Sequence, residues 1–210
     1  MFKYAFSIFL FLFAITGFAE DFVAGKDYVV LHAPGTTDKA PSGVVVNEYF
    51  SYGCPWCFKL EPALTAWVKQ QGNKIAFSRV PVVFNKDWEF YAKAYYTADA
   101  LQVEPKLTPD LFKAILTDKQ TLNSDQAMIA FFKQRGVDES TVSSAFLNSP
   151  SIELDVSNSK RMMGMYQITA VPTLIVNNKY KTDLQLAKDQ DRLFAIMNFL
   201  VAKAGNEPKA

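Results

Sequence analysis

The sequence predicts an α/β domain interrupted by a large block of helices. Two observations carry that prediction. β-branched and aromatic runs stand near both ends of the 210-residue chain. Between them, from about Asp87 to Ile168, Phe, Tyr, Leu and Met recur at helical spacings. Half of the residues are apolar and a fifth are charged, an ordinary globular composition, and the length is enough to bury a core without staples.

Each element has a local reason. Tyr28-Val29-Val30-Leu31 is a short strand candidate, and Ala33 to Gly43 is a loop marked by Pro34, Gly35, Pro41 and Gly43. Val44 to Ser51 is rich in β-branched and aromatic residues, and reads as a buried central strand. Tyr52-Gly53 turns the chain. A helix then runs from the segment Cys54-Pro55-Trp56-Cys57 to about Gln71, with Pro55 in its first turn, Pro62 inside it as an expected kink, and Gly72 at its end. Ile75 to Val83 is the next strand. In the helical block Asp87, Thr108 with Pro109, Ser124 and Asp138 are expected helix starts, Gly136 and Pro150 mark breaks, and four or five helices fit. Thr173 to Val176 and Lys179 to Thr182 form a hairpin about Asn177-Asn178, and Asp189 to Ala204 is a last amphipathic helix. No internal repeat is present.

The first 19 residues have the pattern of a secretory signal: Lys3, an 11-residue apolar stretch from Ala5 to Ile15, then Gly17-Phe18-Ala19 with small residues at the two positions that a signal peptidase reads. Cleavage is expected after Ala19. An uncleaved anchor is the rival reading, although a membrane span needs about 20 apolar residues. No Cys follows the cleavage position, which speaks against lipid attachment there. Loss of Met1–Ala19 removes Lys3 and no acid, so 21 basic and 21 acidic side chains remain. With no clustered positive charge to displace counterions, nucleic acid is not an expected partner.

The chain has two Cys, three positions apart. Export permits a disulfide. A staple gains most by closing a long loop, and a two-residue gap stabilises little. A structural zinc site wants four Cys or His ligands, and two Cys and one His cannot complete it, so no metal is expected. Redox chemistry explains the pair better. Cys54 stands where a strand ends and a helix begins, where free backbone N–H groups and the helix dipole favour a thiolate. Cys57, one turn further in, is expected to be more buried. Cys54 would then exchange with substrate, and Cys57 would resolve or reform the intramolecular disulfide.

These residues carry a resemblance. A Cys-Pro-Trp-Cys motif after a buried strand, with Pro62 five positions beyond the second Cys, resembles thioredoxin, and Val171-Pro172-Thr173 before Leu174-Ile175-Val176 resembles the cis-proline loop of that superfamily. Pro172 lies 115 positions beyond Cys57, a gap that a plain thioredoxin domain does not have and that is similar to the helical insertion of the DsbA family. Glu48-Tyr49-Phe50-Ser51 and the run from Val171 to Tyr180 are also similar to that family, and the likeness spans essentially the whole chain after the signal. It implies a thioredoxin fold with a large inserted helical domain: signal 1–19, first part 20–84, helical insertion 85–168, second part 169–210.

The resemblance implies roles. The Cys54–Cys57 pair is the redox disulfide, with Pro55 and Trp56 inside the motif. Pro172 lies beside it, and the backbone of Val171 pairs with an extended substrate segment, a form of strand addition. Glu48 is placed beneath the pair, where it would take or relay the proton of Cys57, with burial raising its pKa; the alternative is a strand-end glutamate reaching solvent. Relatives often have His at the position of Trp56. An indole offers one donor and no charge, so a less strongly oxidising couple is expected here. Trp56 would otherwise widen an apolar rim.

Other residues carry plainer expectations. His32 is structural or exposed. Tyr91, Tyr95 and Tyr96 are insertion core. Met162, Met163 and Met165 are core or an adaptable apolar surface. Arg79, close to Pro81, could sit near the active site, but no role is assigned to it.

The expected function is a periplasmic thiol:disulfide interchange protein that introduces disulfides into reduced or unfolded exported proteins. By resemblance, an inner-membrane DsbB-type quinone reductase would reoxidise it, and no metal or organic cofactor is required. The rivals are a disulfide reductase or isomerase, a glutathione-dependent small-molecule transferase or isomerase, and a holdase whose cysteines are only a local staple. Only about 24 residues, 20–43, precede the central strand, too few for the dimerisation domain of DsbC-type isomerases.

Overall fold

The structure, a computed structural model, describes residues 22–31 and 43–207. The signal segment, His32 and most of the loop expected after it lie outside the described residues. The order of elements is as the sequence predicts, with one short helix added near the end.

β1 (Val29–Val30), β2 (Val44–Phe50), β3 (Ile75–Pro81), β4 (Thr173–Val176) and β5 (Tyr180–Asp183) form one sheet in the order β1-β5-β4-β2-β3. β2 and β3 run parallel, joined by α1 (Pro55–Gln71), whereas β4 pairs antiparallel with β2 and with β5, and β1 antiparallel with β5. The parallel pair needs a crossover, which α1 supplies, and the antiparallel pair needs only the tight turn that Asn177 and Asn178 make with positive φ.

The two faces of the sheet follow from strand alternation. Val44 and Val46 of β2 and Leu174 and Val176 of β4 pack with Leu60, Leu64 and Trp67 of α1 and with Leu193, Ile196, Met197 and Leu200 of α8 (Gln190–Gly205). Leu60, Leu64 and Trp67 lie four and three positions apart on one helical stripe. Each such burial is worth about 2 kcal/mol, which carries α1 through Pro62, itself on the exposed side. On the opposite face Tyr49 and Ile175 pack with Val80, Val82, Tyr166 and Ile168.

Between β3 and β4 come α2 (Lys86–Ala100), α3 (Glu104–Phe112), a wide helical turn (Lys113–Thr117), α4 (Asp125–Gln134), α5 (Glu139–Asn148) and α6 (Pro150–Met165). Ser124, Asp138 and Ser149 cap the starts of α4, α5 and α6 with their side-chain oxygens. Their core includes Tyr91, Tyr95, Leu107, Leu111, Phe112, Phe131, Phe132 and Phe146, and reaches back to Phe50, Tyr52, Cys54 and Cys57. Tyr96 is partly buried against this core, and its hydroxyl meets Ser159 Oγ at 2.6 Å. Met162, Met163 and Met165 are partly buried against the Tyr49–Tyr166 cluster, and Met163 Sδ accepts the Val83 N–H at 3.2 Å.

Three local expectations are corrected. α2 is capped by Asn85, which accepts from the Trp88 N–H at 3.0 Å, so Asp87 lies inside the first turn, where its charge complements the helix dipole. α3 begins at Glu104, with Pro105 in its first turn, and not at Thr108-Pro109. Pro109 is held within the helix because Leu107, Thr108, Leu111 and Phe112 are all buried, which together outweigh the roughly 3 kcal/mol that an interior proline costs. Leu184–Ala187 form a further short helix, α7, capped by Asp183.

Candidate active site

β2 delivers the chain to the redox motif. After the turn at Tyr52-Gly53, Cys54 is the N-cap of α1 and Pro55 opens its first turn, exposed, with no N–H to leave unsatisfied. Gly53 is demanded by close approach: a Cβ there would lie 2.4 Å from Nε1 of Trp88, whose indole comes from α2. Both cysteines are free thiols. Cys54 is 4% exposed and Cys57 fully buried.

The two sulfurs stand in opposite electrostatic settings. Cys54 Sγ accepts the backbone N–H of Cys57 at 3.2 Å. Hydrogen bonding from the Cys57 thiol, followed by the backbone N–H groups of Cys57 and Trp56, outweighs burial and lowers the Cys54 thiol to about 7. Burial pushes the Cys57 thiol well above its ordinary value, and the neighbouring Cys54 and Glu48 charges push it further. One thiol ionises readily and the other holds its proton.

The loop before β4 closes over Cys54. The Val171–Pro172 peptide is cis, Pro172 is buried, and the Cys54 thiol lies 3.4 Å from the Val171 carbonyl oxygen, to which it donates. Trp56, 59% exposed, stands at the rim with Lys59 Nζ 5.3 Å from its ring centroid. Trp56, Leu60, Val171, Pro172, Leu184 and Gln185 line part of a groove of roughly 550 Å³. Such a volume accommodates a few side chains of an extended peptide.

Beneath the pair lies a buried charge cluster. Glu48 is 1% exposed, which removes the solvent-facing alternative. Its cross-strand partner on β4 is Leu174, one of the residues packed with α1, so Glu48 faces α1 as well. Arg79, its register partner on β3, donates from Nε to Glu48 Oε2 at 2.9 Å, from Nη2 to both oxygens of Glu61 at 2.9 Å, and from Nη1 to Glu104 Oε1 at 3.1 Å. Among the described residues, Glu48 Oε1 has no hydrogen-bond partner. Burial pushes the Glu48 carboxyl up to about 7 against the pull of Arg79, and the Glu61 charge adds to the rise. Burial disfavours the Arg79 charge, but its three carboxylates outweigh that and hold it above the ordinary guanidinium value.

Comparison with known proteins agrees with this geometry. The thioredoxin family model matches residues 37–193. The thiol:disulfide interchange protein DsbA of Burkholderia cepacia is 38% identical over 178 residues, covering 85% of this chain and 84% of its own. The DsbA of Pseudomonas aeruginosa is 31% identical over 192 residues, covering 91% and 90%. A crystal structure of Pseudomonas aeruginosa DsbA superposes with a TM-score of 0.82, at 31% identity, over 88% of this chain and 95% of that one. The chain belongs to the DsbA family. Its fold is the thioredoxin fold with a helical insertion, and it is a thiol:disulfide oxidoreductase.

In this DsbA-family chain the structure brings Cys54, Cys57 and the Val171–Pro172 loop together, with Trp56, Val171 and Pro172 lining the groove, Pro55 exposed at the start of α1, and Glu48 beneath the pair. Sequence reasoning missed Glu61 and Glu104 and left Arg79 aside. Glu61 had a local signal: it lies four positions after Cys57, on the same stripe of α1. Glu104 had none, because placing the start of α3 at Thr108 left it in a loop.

Proposed function

We propose that this chain oxidises thiol pairs in exported proteins, in the periplasm, after removal of Met1–Ala19. The observation that carries this is the likeness to thiol:disulfide interchange proteins over most of the chain, with Cys54 at a helix start beside Val171 and Pro172. The lowered Cys54 thiol makes that sulfur a good leaving thiolate, which favours the reduced form.

The steps balance as follows. A substrate thiolate attacks Cys54 Sγ of the Cys54–Cys57 disulfide. The S–S bond breaks, Cys57 leaves with the electron pair, and a mixed disulfide joins Cys54 to the substrate. A second substrate thiolate attacks the substrate's own sulfur in that mixed disulfide, and Cys54 leaves. The substrate has lost two electrons and two protons, and the protein holds them as a dithiol. An extended substrate would pair with the Val171 backbone beside Pro172 and lay side chains in the groove. Glu48, with a free Oε1 and a pKa near neutrality, is the group we assign to move the Cys57 proton. A DsbB-type quinone reductase is the reoxidant that the family implies. We take residues 85–168 as the insertion and 20–84 with 169–210 as the unit that holds the redox pair.

The test is the reduction potential, measured by equilibration with glutathione buffers. A value well above thioredoxin's, which is about −270 mV, is expected. A value at or below it would mean that the disulfide is the stable form and that the protein acts as a reductase or carries an inert staple.

A further inference from the structure

We propose that Glu104, the first residue of α3, is a positioning residue of the redox site, acting through Arg79 on Glu48. The proposal rests on the reading of Glu48 as the proton carrier for Cys57.

The argument starts from charge count. One guanidinium faces Glu48, Glu61 and Glu104, and its side chain and theirs are 11%, 1%, 14% and 13% exposed. With all four groups ionised the cluster carries two uncompensated negative charges in a setting that screens them poorly. Protonating one carboxylate is the least costly relief. Glu48 is the most buried of the three and has an oxygen with no partner, so the proton belongs there.

Glu104 adds to this through Arg79. It takes the Nη1 donor of Arg79, and it is fixed by a second bond, from Thr108 Oγ1 to Glu104 Oε1 at 2.7 Å. Thr108 is buried and meets the Tyr52 hydroxyl at 2.8 Å, two residues before Cys54. The helical block thus reaches the floor of the redox site by a continuous chain: Tyr52, Thr108, Glu104, Arg79, Glu48. Removing the Glu104 charge removes a like charge from the cluster and weakens the hold of residue 104 on the guanidinium, leaving more of its charge to Glu48. Both effects favour ionised Glu48.

Other groups also face Glu48. Glu61 and Cys54, from α1 and its cap, raise the Glu48 carboxyl directly, Cys57 lies beside it, Leu174 of β4 does not titrate, and Glu104 acts one step further away, through the guanidinium. Tyr95 of α2 and Tyr52 are held neutral by burial.

The experiment follows the Glu48 carboxyl by NMR of isotope-labelled glutamate in the reduced full-length protein, with the resonance assigned by its loss in Glu48→Gln. Glu104→Gln keeps the shape and an acceptor for both Arg79 and Thr108, but not the charge. Its Glu48 midpoint is expected to fall by about one pH unit, the usual size of a neighbouring-charge effect. Glu104→Asp keeps the charge and is expected to stay nearer the parent. Thr108→Val loosens Glu104 and is expected to shift the midpoint less, in the same direction. A lower melting temperature with an unmoved midpoint would mean a merely structural Glu104 and would overturn the proposal, as would a rise. The exchange rate about one pH unit above the Cys54 value, where Cys54 is ionised in parent and variant alike, tests the proton-carrier reading separately: if Glu48→Gln exchanges there as fast as the parent, Glu48 is not the carrier, whatever Glu104 does to its titration.

Discussion

The lip and the floor of the redox site are built differently. The lip is local: Cys54, Pro55, Trp56 and Cys57 follow one another at a helix start, and a backbone N–H three residues on already reaches the Cys54 sulfur. The floor is assembled from four elements, with Glu48 from β2, Arg79 from β3, Glu61 from α1 and Glu104 from α3. The lip lowers a pKa by hydrogen bonding, and the floor raises one by burial. A short motif can therefore specify which sulfur reacts, whereas the protonation of the group beneath depends on how the whole fold is put together.

The largest expected effect breaks the lip. Cys54→Ser should abolish exchange, because Cys57 is buried and its thiol is held protonated. Cys57→Ser should keep a reactive Cys54 and accumulate a mixed disulfide with oxidised glutathione, read by mass spectrometry. If Cys54→Ser formed the adduct and Cys57→Ser did not, the division of roles between the sulfurs would be reversed.

The same contrast explains what the sequence could and could not tell. The strand before the motif and the helix start at Cys54 were legible because each rests on neighbours in the chain, whereas the loop at Pro172 was placed beside the pair by the resemblance alone. The burial of Glu48 was half legible: alternation along Val44 to Phe50 puts it on the face of Val44 and Val46, but its register against Arg79 is a property of strand pairing, which no local pattern fixes. Glu104 was hidden by a misplaced boundary. Two X-Pro pairs, Glu104-Pro105 and Thr108-Pro109, compete for the start of α3, and burial of Thr108 and Leu107, not local preference, decides for the first.

The next effect tests the floor. The Glu48 carboxyl lies near its ordinary 4.5 in the unfolded chain and is raised to about 7 in the reduced folded protein. The folded state therefore binds more protons than the unfolded one across that window, and stability falls as pH rises through it. Below the unfolded value the contribution is fully present; above about 7 its loss amounts to about 3 kcal/mol. Glu48→Gln removes this dependence, while Arg79 keeps Glu61 and Glu104. Urea unfolding of the reduced proteins across this range should show the variant gaining on the parent as pH rises. Parallel curves would mean that Glu48 is ionised throughout and that the floor is an ordinary ion pair.

The smallest effect returns to the rim. The Cys54 thiolate is favoured by Cys57 and by backbone N–H groups, and the Trp56 side chain contributes none of the hydrogen bonds to it. Trp56 is exposed beside Lys59, so a replacement there meets little steric resistance. Trp56→His brings a ring that carries charge near neutrality and a second donor, either of which favours the thiolate. One pKa unit at Cys54 corresponds to about 1.4 kcal/mol, and that to roughly 30 mV for a two-electron couple. The variant should therefore have a higher potential by an amount of that order, measured against glutathione alongside the parent. An unchanged or lower potential would show that the helix start alone sets the couple, and that position 56 serves only the surface presented to substrate.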